Sequence, residues 1–277
     1  MRIKITYESR KKGLLLPIHY NYYIESLIYH TFSKEVSEAL HNEGFILDKR
    51  RFKLFTFSRI LKKGQRVTGN QLKRLKKDLN IKNATAFYSH KKTDTEEALF
   101  FENAINFYFS SVKNFVVEDM GSRAISIPQS SLLNQNIFVV SIEVLAPPKF
   151  ENKMNIKMLS PMTMYSTMKT SDENIKTYYY SPYEKEFSEL ITKNAKKKYK
   201  TAYSNDIEGN LQLTPLYFEE RRNRAVVYFK NTRIDGWTGV FKLEGNPELI
   251  KITYDAGLGG KNPEGFGMWE PFRDKKF

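Results

Sequence analysis

Two adjacent prolines, Pro147-Pro148, interrupt the chain near its middle, and the apolar patterning on either side reads as the same order of elements. Proline removes a backbone N–H and pushes the residue before it out of the helical region, so the pair ends whatever precedes it. Before it, residues 2–8 alternate apolar and polar, as a half-buried strand does. Residues 13–17 are expected to be a loop. Ile24, Leu27, Ile28, Phe32, Val36 and Leu40 then recur at helical spacing. Asn21 is placed to start this helix and Gly44 to close it. Ser33, followed by Lys34 and Glu35, is placed instead to cap a second short helix. Residues 52–58 and 99–109 read as strands, 111–133 as a weaker helix and 136–145 as a strand. Residues 61–95, with Lys62-Lys63 and Lys73-Arg74-Leu75-Lys76-Lys77, read as a basic, partly helical surface insertion.

After the prolines the theme returns. Strands are predicted at 156–165, 211–218 and 224–229, with a basic helix over 183–200 whose apolar face carries Phe187, Leu190, Ile191 and Ala195. Residues 233–243 suggest a hairpin turning at Asp235-Gly236. A short helix over 247–254 leads through a glycine-rich loop into a last strand, 266–269. Each half is thus β-α-β-β-α-β, the ferredoxin-like order. The expected fold is α+β, two tandem ferredoxin-like (RRM-like) domains at 1–147 and 148–277.

The 277 residues include no cysteine, which excludes disulfides, thiol nucleophiles and thiolate metal sites and fits a reducing cytoplasm. The most apolar stretch, 137–145, contains Glu143 and is too short to span a bilayer, and the start shows no uninterrupted apolar signal region. No membrane association is expected. The formal net charge is +14, which favours a polyanionic partner, although a generally lysine-rich composition gives the same number.

Five of the fourteen glycines fall in Gly257-Leu-Gly-Gly-Lys-Asn-Pro-Glu-Gly-Phe-Gly267. Glycine reaches positive φ cheaply and admits close approach of a ligand, and successive amides in such conformations bind anions. Gly257, Gly259, Gly260, Gly265 and Gly267, with Lys261 among them, are therefore candidates to hold RNA phosphate; the plainer reading is a tight turn between helix and strand. The loop lacks the Gly-Lys-Ser/Thr ending of a nucleotide P-loop and precedes a strand rather than a helix, against a nucleotide-binding enzyme.

Several segments carry a resemblance spread along the whole chain: Leu27-Ile28-Tyr29, Lys53-Leu54-Phe55-Thr56-Phe57-Ser58, Leu159-Ser160-Pro161, Glu186-Phe187 and above all the loop ending Gly265-Phe266-Gly267. The chain resembles the CRISPR-associated endoribonucleases that process repeat RNA, within the RAMP superfamily. The resemblance implies cleavage of precursor RNA within repeats, without metal or cofactor. The 2′-hydroxyl attacks the adjacent phosphate, leaving a 2′,3′-cyclic phosphate and a 5′-hydroxyl.

Family members often use a tyrosine, a histidine and a lysine of the first domain, and Tyr29, His41 and Lys53 match them. The resemblance implies His41 as general acid or base, Lys53 as stabiliser of phosphate charge, and Tyr29 as the group that positions or deprotonates the 2′-OH. Each has a plainer reading: Tyr29 as a core tyrosine at the edge of the apolar stripe, His41 as a solvated helix-end residue, Lys53 as a surface lysine. His30 is the rival histidine. On one unbroken helix Tyr29 and His41 would stand roughly 18 Å apart, so the trio requires a break near Ser33 or a turn at Asn42-Glu43-Gly44.

Lys49, Arg50 and Arg51 are candidate RNA contacts beside Lys53. Lys193, Lys196, Lys197, Lys198 and Lys200 form either a solvated helix face or part of an RNA groove. The expected partner is CRISPR repeat RNA, with other effector subunits as further candidates, bound by a monomer or homodimer. The alternative to an enzyme is a non-catalytic repeat-RNA-binding subunit of an effector complex.

Overall fold

The computed structural model describes residues 1–81, 87, 96–169 and 175–273. Strand β1 (Arg2–Pro17) is the spine of the first half. It is followed by α1 (Asn21–Thr31), α2 (Lys34–Glu38), a π-helical turn (Ala39–Glu43) and the short strands β2 (Phe45–Leu47), β3 (Arg50–Phe52) and β4 (Phe55–Phe57). Then come β5 (Gln65–Thr68), α3 (Gly69–Asp78), β6 (Glu97–Ser111), α4 (Asn114–Ser126), β7 (Gln129–Leu132) and β8 (Gln135–Leu145). The antiparallel sheet runs β4-β6-β1-β8-β7, with β5 also on β6. Its four main strands follow the ferredoxin-like order.

The residues expected to form a loop at 13–17 are instead the second half of β1. They pair with β6 from Gly13↔Glu102 to Pro17↔Ala98 after a bulge that follows Glu8. Leu14 and Leu16 face the main core while Leu15 joins a separate cluster with Val67, Leu72 and Ala98. Burial on both faces explains why an unbroken Leu run here is strand rather than loop. The 61–95 insertion is therefore more than surface. Its β5 extends the sheet and Leu72 of α3 is buried; its segments 82–86 and 88–95, the latter holding His90, lie outside the described residues.

The helix expected from Ile24 to Leu40 is broken. α1 stops at Thr31, and Ser33 caps α2 by accepting from the Val36 amide at 3.3 Å. Gly44 closes the following π-helical turn at φ 62°, a conformation that suits glycine. The helical reading over 111–133 shortens to α4, and β7 follows it. The alternating segment 52–58 is also not one strand. Leu54 sits at φ 55° between β3 and β4, and its side chain is buried in the core of the second half.

The second half contains β9 (Lys153–Met158), β10 (Tyr165–Lys169), β11 (Ile175–Tyr179), α5 (Lys185–Tyr203), β12 (Leu211–Tyr217) and α6 (Glu220–Asn223). It continues with β13 (Arg224–Phe229), β14 (Thr232–Trp237), β15 (Val240–Gly245), α7 (Pro247–Ala256), a 3-10 turn (Asn262–Glu264) and β16 (Trp269–Pro271). The sheet order β12-β15-β9-β16 repeats the ferredoxin-like arrangement, with β10–β11 and β13–β14 as inserted hairpins. The strand expected over 156–165 is β9 alone, and Tyr165 opens the next hairpin.

Asp235-Gly236 is not a turn. The β13–β14 hairpin turns at Lys230-Asn231, and Gly236 pairs with Ala225 inside the ladder. A side chain at Gly236 would come within 3.0 Å of the Met162 carbonyl oxygen, so this glycine serves close packing.

The halves are tied at several points. Arg2, 2% exposed, donates to the carbonyl oxygens of Trp269 and Tyr254, both at 2.8 Å, and stacks on the Tyr254 ring. Thr56 donates to the Phe266 carbonyl at 2.9 Å. No helix among the described residues is long and apolar enough to cross a membrane.

Candidate active site

A cleft of about 900 Å³ opens between the halves. One wall is Glu25 and Tyr29 of α1 and the segment Arg50–Phe55; the other is Tyr165–Thr167, the α5 residues Leu190, Lys193, Asn194, Lys197 and Lys198, and the turn Gly260–Glu264. Phosphate-binding chemistry is concentrated here, with Arg50, Arg51, Lys53, Lys193, Lys197 and Lys261 on its lining. Lys49 sits in the exposed β2–β3 turn just outside it.

The bend at Ser33 and the π-helical turn bring His41 back to α1. The rings of Tyr29 and His41 meet edge-to-face with centroids 5.8 Å apart. His41 is exposed, and its Nδ1 lies 3.3 Å from Asn42 Oδ1. The Lys53 ammonium donates to the carbonyl oxygens of Leu40 and of His41, the latter at 2.8 Å. Thus Tyr29, His41 and Lys53 form one cluster. His30 does not join it: its Nδ1 is held at 2.6 Å by the Ser26 carbonyl of its own helix.

Electrostatics give these groups different characters. Burial, then the neighbouring Glu25 carboxylate, pushes the Tyr29 phenol well above its ordinary range, so it stays protonated at neutral pH. That suits positioning or donating better than removing a proton. Burial, then Arg51, lowers Lys53. Glu25 is pushed up to about 7 by burial and by Glu264. Glu264 is also raised, chiefly by burial.

The glycine-rich loop is a packed wedge rather than an open ring of amides. The Leu258 amide bonds the Gly267 carbonyl, Gly260 bonds Thr163, Gly265 bonds Asn262 and Gly267 bonds Pro161. Gly257, Gly259, Gly265 and Gly267 are buried, and only Gly260, Lys261, Pro263 and Glu264 reach partly to the surface. Of the glycines expected to hold RNA phosphate, only Gly260 is thus partly exposed. Added side chains at Gly257, Gly265 and Gly267 would meet Asn262, Phe57 and Leu258 at 2.3, 2.6 and 2.1 Å. The space these glycines leave is filled by protein.

Lys198 holds the loop from α5. Its ammonium, 3% exposed, donates to the carbonyls of Gly257 at 2.6 Å and Gly259 at 2.8 Å, and burial pulls it down to about 7. It lines the cleft, but its ammonium is turned to the loop rather than to solvent. Of the other helix lysines, Lys193 and Lys197 line the cleft, while Lys200 pairs with Asp206 at 2.9 Å. Among the described residues no three His, Asp or Glu side chains are grouped to hold a metal ion.

The sequence reading passed over Glu25, Glu264 and Tyr165. Glu25 stands one helical turn before Tyr29, a spacing that places both on one face. Glu264 and Tyr165 carry no comparable local signal.

Residues 145–271 match the family model for the C-terminal region of the CRISPR-associated protein Cas6. Over that region the chain is similar to the Cas6 family. A CRISPR-associated endoribonuclease Cas6 of Methanocaldococcus jannaschii is 28% identical, covering 99% of this chain and 94% of that protein. A CRISPR-associated endoribonuclease Cas6 of Pyrococcus furiosus is 26% identical over 96% of this chain and 87% of its own length. The solved structure of a Cas6-related protein from Pyrococcus furiosus superposes with a TM-score of 0.76 at 19% identity, covering 99% of both chains, and adds the Cas6 fold. The two sheets described above thus form a tandem ferredoxin-like architecture, the fold shared with that structure.

Proposed function

We propose that this protein is an endoribonuclease of CRISPR precursor RNA, cutting within repeats to release guide RNAs in the cytoplasm as a monomer or homodimer. The relatives named as endoribonucleases support the class of activity. The observation that carries the chemistry is the convergence of Tyr29, His41 and Lys53 at the rim of a cationic cleft. Residues 1–147 and 148–277 are the two domains of this reading.

The reaction needs no metal in this scheme. Tyr29 orients the ribose 2′-OH, which passes its proton to solvent water as its oxygen bonds to phosphorus. The bond from phosphorus to the 5′-oxygen breaks, and His41 gives that oxygen a proton. With Nδ1–H donating to Asn42, Nε2 is the nitrogen that carries this proton. Lys53 commits two of its three N–H donors to Leu40 and His41 and aims the third at the phosphate, countering charge on the phosphorane. Products are a 2′,3′-cyclic phosphate and a 5′-hydroxyl. RNA is held by Arg50, Arg51 and Lys261, with Gly260 leaving room for the strand to approach; the other four glycines act by packing.

The test uses matching repeat RNA with and without a single 2′-deoxy substitution 5′ to the cut, incubated in EDTA. Cleavage of the unmodified strand alone, with a cyclic phosphate end, is expected. If both strands bind and neither is cut, the protein is a repeat-RNA-binding subunit instead.

A further inference from the structure

Carboxylates are out of place in a cleft for a polyanion unless they receive hydrogen bonds, and two half-buried ones, Glu25 and Glu264, line this cleft. They come from different halves and are brought together by Asn21. One turn before Glu25 on α1, its Nδ2 donates at 2.9 Å to the carbonyl of Glu264 and at 3.3 Å to that of Gly265. Lys261 lies 3.3 Å from both carboxylate oxygens of Glu264. The same ammonium stands 5.5 Å from the centroid of the Tyr165 ring. Tyr165 is 37% exposed, lines the cleft and is paired across the hairpin with Tyr179, their rings 5.9 Å apart. An aromatic face, a cation and two carboxylates therefore share one corner, next to Tyr29.

We propose that Tyr165, Lys261, Glu264 and Glu25 form a nucleobase pocket that takes an unpaired guanine of the bound RNA beside the scissile phosphate. The assignment rests on the RNA-processing reading above and names what that cleft recognises. Phosphate oxygens only accept hydrogen bonds, so a carboxylate can be satisfied by RNA solely through base N–H groups or ribose hydroxyls. Single-stranded bases are read by stacking on aromatic rings and by their Watson–Crick edges.

Guanine presents an acceptor, O6, followed by two donors, N1–H and the N2 amine. Lys261 can donate to O6, and Glu264 and Glu25 can accept from N1–H and from the N2 amine. Uracil offers an acceptor and one donor but ends on a second acceptor, which would face a carboxylate. Cytosine and adenine place a donor where Lys261 stands. The Tyr165 ring supplies the stacking surface, which any base can use, so the edge contacts carry the selection.

The test is a pool of repeat RNAs with the unpaired positions randomised, bound to full-length protein carrying His41→Ala and sequenced before and after retention. Guanine enrichment of about fivefold or more at one unpaired position is expected. Adding Glu264→Gln or Glu25→Gln should abolish the preference there and leave other positions unchanged. Tyr165→Phe should retain binding, whereas Tyr165→Ala should weaken it about fivefold or more whatever base is present. Thermal melting of each variant confirms folding. Retention without a guanine preference, or with one that survives the glutamine variants, overturns the pocket alone. Absence of any RNA retention, together with no cutting of repeat RNA by the unsubstituted protein, overturns the RNA reading and the pocket with it.

Discussion

The imidazole of His41 meets the ring of Tyr29 edge-on, at 5.8 Å between centroids and 81° between planes, although the two residues leave α1 and its continuation in different directions. The contact exists because Ser33 restarts the helix and a π-helical turn redirects it. Lys53 fixes that turn through the carbonyl of His41 itself. Replacing His41 by alanine should slow cleavage about 100-fold or more while leaving RNA affinity within a few-fold. Because Lys53 holds the turn that carries His41, Lys53→Ala should add much less than its full single effect on top of His41→Ala. Single-turnover rates of the two single variants and the double variant measure this coupling.

The cap that makes the bend is separately testable. Ser33→Ala removes the acceptor for the Val36 amide. A loss of about 1 kcal/mol of stability is expected from denaturant titration. An unchanged midpoint would show that the chain reversal is set elsewhere.

Glu25 gives a pH-dependent signature. Its carboxyl is raised from 4.5 to about 7 by burial and by Glu264, so the folded protein holds that proton when the unfolded chain has released it. Its contribution is intact below pH 4.5 and is lost as pH rises through about 7. Glu25→Gln, which stays neutral, should therefore melt higher than the unsubstituted protein at pH 8, by about 2–4 °C for each kcal/mol regained. At pH 4 the two should coincide. Thermal melts at both values decide it.

Two glycines of the same loop should respond in opposite ways. Gly267 has φ 81°, and a Cβ there would lie 2.1 Å from the Leu258 carbonyl oxygen, so Gly267→Ala should lower stability by several kcal/mol, on the order of 3 or more. At Gly260 the nearest atom is a Tyr165 ring carbon at 3.2 Å. Gly260→Ala should fold with nearly unchanged melting and reveal itself in RNA binding.

Much of the architecture is legible in the amino-acid sequence. The repeated element order about Pro147-Pro148 predicted both sheets, because strand and helix periodicities depend on burial that each half arranges locally. Ser33 was recognisable as a cap for the same reason. The misreadings have long-range causes. Phe52 to Ser58 alternates without interruption, yet Leu54 turns away to enter the core of the other half, an event no local pattern records. Asp235-Gly236 has turn chemistry, but Arg224 and Arg233 hold the aspartate inside the β-ladder. The glycine-rich loop announced close approach, and Asn262, Thr163 and Phe57 are the protein neighbours that approach. The corner of Tyr165, Glu25 and Glu264 was invisible because its members are far apart in sequence and meet only through the fold.

The bond from Thr56 to Phe266 spans 210 positions. A cleft whose walls are drawn from such distant stretches has no partial form: until the final glycines emerge and dock, the early residues have only one side of a site. The cleft is therefore complete only once residues 260–267 have docked, and its first wall, residues 25–55, stands alone until then.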